Sequence, residues 1–425
     1  MNVHDSEQIA ALLESKGYEC AQDAGVSDII IINTCSIREK AAQKAYSQLG
    51  RYRALKEKNQ RLVIGVGGCL AQQLDYKFFK LFPYIDFVFG THQIHRIHEF
   101  ISKIEATRTK ILSTQFQSSV ESIGILAMPK SGAVSAYVTI MQGCNNFCSY
   151  CVVPYVRGRE ESRAPLDIIH EIKTLADHGV KEITLLGQNV NSYGKTTEDG
   201  VNFPSLLRKI GKVEGIERIR FTTSHPKDLS DDLIECYGDI DQLCEHIHLP
   251  VQSGSDAVLR RMNRGYCVND YLSKIGRLRK RCPHISITSD MIVGFPGETE
   301  NDFKATISLM EAVRFDNLFS FKYSERKGTA ALKFDDKVDE NVKLERLRHL
   351  QLLQDKHTLE RNMELRGRKE EILVDGISKN SGSDLTGRTG SNKIVNFVGD
   401  KALIGEAVSV VITESYLHSL RAELI

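Results

Sequence analysis

The amino-acid sequence predicts an α/β protein of three domains, and three patterns along its 425 residues carry that prediction. Helical and strand-like segments alternate over residues 1–125, which is typical of a doubly wound parallel sheet. Strand-helix units then follow one another over residues 130–362, which favours a partial TIM-like (βα)6 barrel. Residues 363–425 hold short alternating strands separated by Gly and Ser clusters, as in a small antiparallel β-barrel.

Apolar runs of strand length between amphipathic helices predict the fold of the first domain. The runs are Asp28–Asn33, Leu62–Val66 and Asp86–Phe89, and the helices are Asp5–Lys16, Lys40–Lys58 and Ile94–Ile104. The stretch Ser113–Val134 is polar and contains Ser, Gly and Pro, which indicates a linker.

The second domain contains six strand signals, each followed by a helical pattern or a turn. They are Ala136–Met141, Glu182–Leu186, Arg218–Thr223, His246–Val251, Ser286–Val293 and Asn317–Tyr323. Ligands of such parallel sheets bind at the carboxyl ends of the strands. A long charged helix over 338–366 precedes the tail, whose strands are predicted at Glu371–Val374, Ile394–Val398 and Ala407–Ile412.

Composition narrows the function only slightly. Lys and Arg total 56 and Asp and Glu total 55, so the net charge of +1 does not indicate a nucleic-acid binder unless basic residues cluster. The sequence has neither an apolar run of about 18 residues nor a secretory signal, so we expect a cytoplasmic protein without a membrane span. Ten cysteines in such a chain favour metal ligands, redox groups or buried thiols over disulfides.

The strongest chemical signal is the cysteine motif formed by Cys144, Cys148 and Cys151. Three thiolates at this spacing can ligate three irons of a [4Fe-4S] cube and leave the fourth iron open. An open metal position suits catalysis, whereas structural sites are closed. The alternative is a structural zinc site, but the following residues, Val152–Val156, supply no fourth ligand.

This motif, with Tyr150 before its last cysteine, resembles the cluster motif of radical S-adenosylmethionine (SAM) enzymes. The wider string Gln142–Arg163 resembles the methylthiotransferases within that superfamily. The same family resemblance extends along nearly the whole chain, through Gly187–Gly194, Phe221–Pro226, His248–Ser255, Gly294–Thr299 and, for its TRAM RNA-binding domain, Gly387–Thr389 with Asn392 and Lys393.

The resemblance implies a reaction on tRNA. The cluster on the three cysteines would bind SAM, and one-electron reduction would yield a 5′-deoxyadenosyl radical that takes hydrogen from carbon 2 of the adenine beside the anticodon. A second [4Fe-4S] cluster would donate sulfur and a second SAM the methyl group, with no catalytic residue beyond the cluster ligands. The implied partners of this monomer are the tRNA anticodon stem-loop and an electron donor such as flavodoxin or ferredoxin.

Two sets of alternatives remain open at this stage. Sibling methylthiotransferases act on threonylcarbamoyl-adenosine in tRNA or on a ribosomal-protein aspartate, but Asn145, Asn146 and Gly187–Asn191 favour the dimethylallyladenosine branch. A rival from another class is a non-catalytic RNA-binding protein with a structural metal.

The candidate SAM contacts follow predicted strands, where glycine allows close approach of a ligand and polar side chains can hydrogen-bond it. They are Gly187, Gln188, Asn189, Gln252, Ser253, Gly294 and Gly297. Each could instead belong to an ordinary βα turn.

Cys35 and Cys69 each follow a predicted strand of the first domain and should meet at one edge of its sheet. They could be unrelated thiols, but the resemblance implies that they ligate the second cluster. In the family, a strand ending in Gly-Cys-Gln precedes the Met-Asn, and its cysteine is the third ligand of this cluster. This sequence begins at Met1-Asn2, so that ligand is absent from it, and Cys20 is not a convincing substitute. Loss of that strand should expose apolar faces of its neighbours. A start assigned at an internal Met would explain the missing ligand; if Met1 is instead the true start, we expect SAM cleavage without sulfur insertion by this polypeptide.

Further polar residues have competing interpretations. Arg157 and Arg159 could hold a carboxylate or phosphate, or form a solvated face. A second basic group could form a phosphate-binding face for RNA or a solvated helix face: Arg260, Arg261, Arg264, Arg277, Arg279, Lys280 and Arg281. Arg388 and Lys393 are the best RNA-binding candidates of the tail. His246 and His248 are expected to pack or line the substrate rim, and Cys236, Cys244, Cys267 and Cys282 to be buried thiols.

Overall fold

The computed structural model describes residues 1–36, 39–117, 129, 132–197, 199–379 and 381–425. Most of the predicted linker, residues 118–128 with 130 and 131, lies outside the described residues. The chain divides into two compact units. The first unit comprises Met1–Met128, Met141–Asn145 and Cys151–Arg163, and the second comprises Pro129–Ile140, Asn146–Tyr150 and Ala164–Ile425.

The first unit is a four-stranded parallel sheet in the order β1-β2-β3-β4 with helices on both faces. Its strands are β1 Ile29–Thr34, β2 Val63–Gly68, β3 Phe87–Phe89 and β4 Ile111–Ser113. Its helices are α1 Asn2–Glu14, α2 Glu39–Lys58, α3 Cys69–Leu74, α4 Lys77–Leu81 and α5 Ile97–Thr107. The strand pair β6 Met141–Gln142 and β7 Glu161–Ser162 and the short helix α6 Val153–Val156 complete the unit.

Alternate residues of these strands serve different faces, as the two-residue period of a strand requires. Ile30 and Ile64 pack with α2, α3 and α4, whereas Val63 and Phe87 pack with α1 and α5. The expected exposure of apolar strand faces is wrong. All of β2 is buried. On β1, Ile30 and Ile32 are buried and Ile29 and Ile31 are half-buried, because helices pack on both faces of the sheet.

The second unit begins with the six predicted parallel strands. They are β5 Ser135–Thr139, β8 Glu182–Leu186, β9 Arg218–Phe221, β10 His246–His248, β11 Ser286–Val293 and β12 Asn317–Lys322. They form two three-stranded sheets, β5-β8-β9 and β10-β11-β12. Ile219 N of β9 donates to Gln242 O and Ile219 O accepts from Cys244 N, which ties β9 to the segment just before β10. The helices are α7 Pro165–Asp177, α8 Phe203–Ile210, α9 Asp231–Asp239, α10 Asp256–Arg261, α11 Val268–Arg281, α12 Glu300–Val313 and α13 Glu340–Met363.

Four of these strands end earlier than the sequence predicts, and two of them are β5, which ends at Thr139, and β12, which ends at Lys322. β9 stops at Phe221 and β10 at His248. Thr223 follows with a φ of 70°, which a β-branched residue seldom adopts, and Pro250 lacks the N–H that a continuing ladder needs. The chain therefore leaves the sheet at the predicted ligand-binding edge.

The tail is a closed five-stranded barrel in the order β13-β14-β15-β17-β16. Its strands are β13 Lys369–Ile377, β14 Leu385–Thr389, β15 Ile394–Phe397, β16 Ala407–Ser415 and β17 Leu420–Leu424. The prediction of a wholly antiparallel barrel needs one correction, because β15 and β17 pair in parallel. Closure requires that pairing, since it satisfies two strand edges that would otherwise lie open.

No helix among the described residues combines the length and the apolar character needed to cross a membrane.

Candidate functional site

Cys148 lies in the second unit beside a buried arginine. Nη1 of Arg264 donates a hydrogen bond to the Cys148 sulfur at 3.3 Å, and the Arg264 side chain also donates to Pro250 O at 2.7 Å and to the Tyr266 hydroxyl at 3.1 Å. Only 4% of Arg264 is exposed, and none of the described carboxylates forms an ion pair with it. Because a buried unpaired cation is costly, this pocket favours an anionic group at Cys148, such as a thiolate-bound cluster.

The pKa of the nearby His225 reflects the same positive charge. Nε2 of His225 lies 4.0 Å from the Cys148 sulfur. Burial, and then the charges of Arg264 and Lys227, lower the pKa of His225 to about 2, so the imidazole is neutral. The Cys148 pocket is therefore electropositive without any contribution from histidine.

Cys144 lies in the first unit, directly after a glycine that the backbone requires. Gly143 has a φ of 79°, and a Cβ atom there would lie 1.9 Å from the carbonyl oxygen of Arg159. Cys144 N donates to Gly158 O at 3.3 Å, and Glu160 N donates to the side chain of Asn145 at 3.2 Å. These contacts hold the start of the cysteine motif against the residues that lead into β7.

The segment after Cys151 packs on Cys69 within the first unit. Val152 and Val156 form a small buried cluster with Cys69. Nε of Arg157 donates to the Cys69 sulfur at 3.3 Å, and its guanidinium forms a buried ion pair with Asp5. Arg157 thus holds a carboxylate, one of the two predicted alternatives, and its solvated alternative is wrong because 3% of the residue is exposed.

Two backbone contacts hold Arg157 in place. Thr91 donates its hydroxyl to Val156 O at 2.8 Å, and Nε2 of His92 lies 2.9 Å from the carbonyl oxygen of Arg157. Burial lowers the pKa of His92, so the ring is neutral when it makes this contact. Sequence analysis missed Asp5, Thr91 and His92, because each acts through a partner that is remote along the chain.

The predicted placement of Cys35 and Cys69 at one sheet edge is confirmed. Thr34 and Gly68 are the last paired residues of β1 and β2, so both cysteines leave the sheet at the same level. Gly68 has a φ of 88°, and a Cβ there would lie 2.3 Å from Thr34 O. Burial raises the pKa of the Cys69 thiol, and the Arg157 charge opposes that effect.

Some of the predicted SAM contacts lie at the carboxyl ends of the parallel strands, where ligands are expected to bind. Gly187, Gln188 and Asn189 follow β8, and the buried Oδ1 of Asn189 has no hydrogen-bond partner among the described residues. Gln252 is buried with a φ of 76°, a strained conformation that often marks a functional position. Ser253 is engaged internally, since its hydroxyl accepts from Ser255 N at 3.2 Å.

Packing alone explains the remaining two glycines. A Cβ at Gly294 would lie 2.2 Å from the side chain of Lys343, and one at Gly297 would lie 2.5 Å from Asp336. Both glycines have positive φ angles, so the turn itself needs them. Their contact with SAM stays a prediction.

The identity of the three cysteine side chains, rather than an arrangement of ligands already in place, supports a metal at this site. Across the described ranges, no three His, Cys, Asp or Glu side chains are already grouped as ligands of one metal ion. Three cysteines at the cubane spacing nevertheless match the chemistry of a thiolate-bound [4Fe-4S] cluster, and Cys148 has a buried arginine beside it.

The RNA candidates of the tail differ in availability. Nζ of Lys393 lies 3.1 Å from Oδ1 of Asp316, and 12% of its side chain is exposed, so it serves an intramolecular ion pair. Arg388 also has internal partners, since its Nε lies 3.6 Å from Oδ2 of Asp375 and its Nη1 donates to Oδ1 of Asn392 at 3.1 Å, but 38% of its side chain is exposed. Arg220 donates to Thr389 O at 2.8 Å and to Gly390 O at 3.0 Å, which anchors the turn before Lys393.

The other predicted polar groups mostly have internal partners. Arg264 is buried, so its predicted place in a phosphate-binding or solvated face is wrong. On α11, Arg279 donates to Val313 O, and Arg281 pairs with Glu235 and Asp239. His246 and His248 both hydrogen-bond the Thr288 hydroxyl, at 3.2 Å and 3.0 Å, as packing residues would.

Comparison with known families and structures agrees with this architecture. Residues 138–310 match the radical SAM superfamily, residues 1–90 the uncharacterized protein family UPF0004, and residues 364–425 the TRAM domain. The radical SAM methyltransferase TsrM from Kitasatospora setae has a TM-score of 0.57 at 14% identity, over 75% of this chain and 69% of its own. The cobalamin-dependent SAM radical enzyme OxsB has a TM-score of 0.52 at 12% identity, over 81% of this chain and 53% of its own. Fold and cysteine motif together define a radical SAM enzyme.

Sequence relatives narrow the class to one family. The tRNA-2-methylthio-N(6)-dimethylallyladenosine synthase of Syntrophus aciditrophicus is 65% identical over 100% of this chain and 92% of its own length. The enzyme of the same name from Geobacter sulfurreducens is 50% identical over 100% of this chain and 95% of its own length. The chain belongs to this family, the MiaB branch of the methylthiotransferases.

Proposed function

We propose that the chain adds a 2-methylthio group to N6-dimethylallyladenosine beside the anticodon of tRNA, with SAM and two [4Fe-4S] clusters as cofactors. Family membership supports the substrate. The observation that carries the chemistry is the cysteine motif, whose Cys148 faces the buried and unpaired Arg264. A positive group without a carboxylate partner suits a site that receives an anionic cluster and the carboxylate of SAM.

Cys144, Cys148 and Cys151 would hold the SAM-binding cluster. When bound and reduced, that cluster supplies the electron that cleaves SAM to a radical able to take hydrogen from the adenine. Arg264 offsets negative charge at Cys148, and Gly143 allows the sharp turn that begins the motif. Asn189 and Gln252 offer buried polar groups for SAM at the carboxyl ends of the strands.

Cys35 and Cys69 would contribute to the second cluster, which is the sulfur source. Arg157 donates to the Cys69 sulfur and is itself held by Asp5, so this cysteine keeps a fixed position. The buried surroundings of Cys69 exclude water from its thiol, which protects a sulfur-rich site from hydrolysis.

The domain division that we propose follows function. Residues 1–125 would bind the second cluster, 130–362 would cleave SAM, and 363–425 would bind the tRNA anticodon stem-loop, with Arg388 as the most available contact. We further propose a monomer that receives electrons from a flavodoxin or ferredoxin. A cytoplasmic location follows from a tRNA substrate.

Nucleoside mass spectrometry of tRNA from a deletion strain tests the substrate. We expect N6-dimethylallyladenosine without its methylthio group to accumulate, and a plasmid copy of the deleted gene to restore the modified nucleoside. Loss of methylthio groups from threonylcarbamoyl-adenosine instead, or from a ribosomal protein, would assign the chain to a sibling activity.

Metal analysis tests the rival class. The proposal requires iron and sulfide in anaerobically reconstituted protein. A colourless protein that holds only zinc would favour a non-catalytic RNA-binding protein.

A further inference from the structure

A basic hollow lies in the second unit beside the cysteine motif. Its volume is about 290 Å³. It is lined by Lys227, Gly265, Tyr266, Asp270, Ser273, Lys274 and Arg277. Three cationic side chains and one carboxylate therefore face one small space.

The two lysines have neutral hydrogen-bond partners. Nζ of Lys227 donates to Oδ1 of Asn146 at 2.6 Å, and Nζ of Lys274 donates to Pro226 O at 2.6 Å. Neither ammonium group forms an ion pair with a carboxylate in the part of the chain that the structure describes. Their charge is therefore available to an external anion.

The nearby carboxylates are already used. Asp270 accepts from Cys267 N at 2.9 Å as part of a helix cap, and Asp231 pairs with Arg277. Asp228 accepts from Lys195 and from Asn189, each at 2.7 Å. These acids reduce the positive charge of the region without binding either lysine of the hollow.

The basic residues on the rest of α11 provide a contrast. Arg281 pairs with two carboxylates and Arg279 with a backbone carbonyl, so both have roles inside the protein. Burial, followed by the charge of Arg277, lowers the pKa of Lys274. Unlike Arg281, the two ammonium groups of the hollow have no carboxylate partner among the described residues, and a bound anion would take that place.

The hollow is also close to the chemistry. Asn146, the partner of Lys227, lies within the cysteine motif, and Asn263 donates to Phe147 O of the same motif at 3.1 Å. Tyr266 lines the hollow and also accepts from Arg264, the arginine at Cys148. An anion in the hollow would therefore lie next to the residues that surround Cys148.

We propose that this hollow binds a backbone phosphate of the tRNA close to the adenosine that is modified. The inference rests on the proposed function and adds a site to it. Lysine ammonium groups act as point charges for phosphate, and such contacts position a nucleic acid without reading its sequence. Bound there, the phosphate would hold the target base near the cysteine motif.

Binding of an anticodon stem-loop RNA to the full-length, cluster-free protein tests the proposal. We expect K227Q and K274Q each to weaken binding roughly tenfold, as loss of one charge-assisted contact should. The slope of log affinity against log salt should fall by about 1 for each variant. K274R should recover most of the affinity, because it restores the charge.

R281Q is the matched control, since Arg281 lies on the same helix and faces Glu235 and Asp239. It should bind RNA as the parent does. Parent-like RNA binding by folded K227Q and K274Q would overturn the phosphate site and leave the proposed function intact. A raised KM for SAM in those variants with unchanged RNA affinity would also overturn it and assign the hollow to SAM, whereas failure of the parent to bind the RNA would contradict both proposals.

Discussion

The surroundings of Cys69 and of Cys148 share a layout but differ in charge. Each sulfur accepts a hydrogen bond at 3.3 Å from a buried arginine, Arg157 in one case and Arg264 in the other. Arg157 is balanced by Asp5, whereas the described partners of Arg264 are a carbonyl, two tyrosine hydroxyls and the sulfur itself. The chain therefore neutralises the Cys69 site from within and leaves the Cys148 site with excess positive charge.

This difference indicates that Arg157 and Arg264 have different roles. Arg157 has a complete set of partners within the protein, so its role is to hold a cysteine and a carboxylate together. Binding of the proposed cluster at Cys148 would give Arg264 an anionic partner, which it lacks among the described residues. We therefore expect substitution of Arg157 to change folding and substitution of Arg264 to change cofactor binding.

The largest expected effect is the difference in SAM cleavage between a Cys148 variant and a Cys69 variant. Cys148→Ala should abolish SAM cleavage, because three thiolates are needed to hold the cluster that binds SAM. Cys69→Ala should retain SAM cleavage. Formation of 5′-deoxyadenosine by reduced protein measures both variants, and equal loss of cleavage in the two would remove the functional distinction between the sites.

Arg157→Met should destabilise the cluster-free protein by about 3–5 kcal/mol, since it deprives the buried Asp5 of its ion-pair partner. Urea unfolding measures this change in the free energy of unfolding. The double variant Asp5→Leu with Arg157→Met should recover much of the loss, because it removes both charges. A single variant as stable as the parent would show that the pair does not contribute to folding.

Arg264→Met should affect the loaded protein more than the empty one. We expect cluster affinity and SAM cleavage to fall roughly 10–100-fold, as for other residues that support metal ligands. Unfolding of the cluster-free variant should change by only about 1–3 kcal/mol, the cost of the lost hydrogen bonds. Arg264→Lys keeps the charge, so its cluster affinity and SAM cleavage should lie between those of the parent and those of Arg264→Met. Unchanged iron content in Arg264→Met would contradict the role assigned to Arg264.

The smallest expected effect is the response of the Arg157 segment to acid. Burial lowers the pKa of His92 in the folded protein, so the unfolded chain takes up a proton first, near its ordinary pKa of about 6.5. Stability should therefore be full above that pH and fall as the pH drops below it. Urea unfolding at several pH values should show a shallower decline for His92→Gln, and a parallel decline would exclude His92 as its source.

Spacing and periodicity predict much of this molecule. The apolar runs indicate all six strands of the second domain, and the positions of Cys35 and Cys69 after their strands predict their common edge, which β1–β2 pairing confirms. Those features depend on local sequence. The three-cysteine motif is equally local, since its ligands lie within eight residues of one another.

Features that depend on remote contacts escape sequence analysis. Asp5 and Arg157 are separated by 152 positions, and nothing near either residue indicates the other. Arg264 sits in a basic stretch that suggests a surface, yet tertiary packing buries it. Lys393 is a reasonable RNA contact until its ion pair with Asp316 is seen.

The most direct test of the central claim is SAM cleavage by anaerobically reconstituted, chemically reduced protein. The claim is that Cys144, Cys148 and Cys151 hold a cluster with an open iron in an electropositive pocket. We predict iron-dependent release of 5′-deoxyadenosine and methionine, and none from the variant with all three cysteines changed to alanine. Iron-loaded protein that leaves SAM intact, or a triple variant that still cleaves it, would contradict the account.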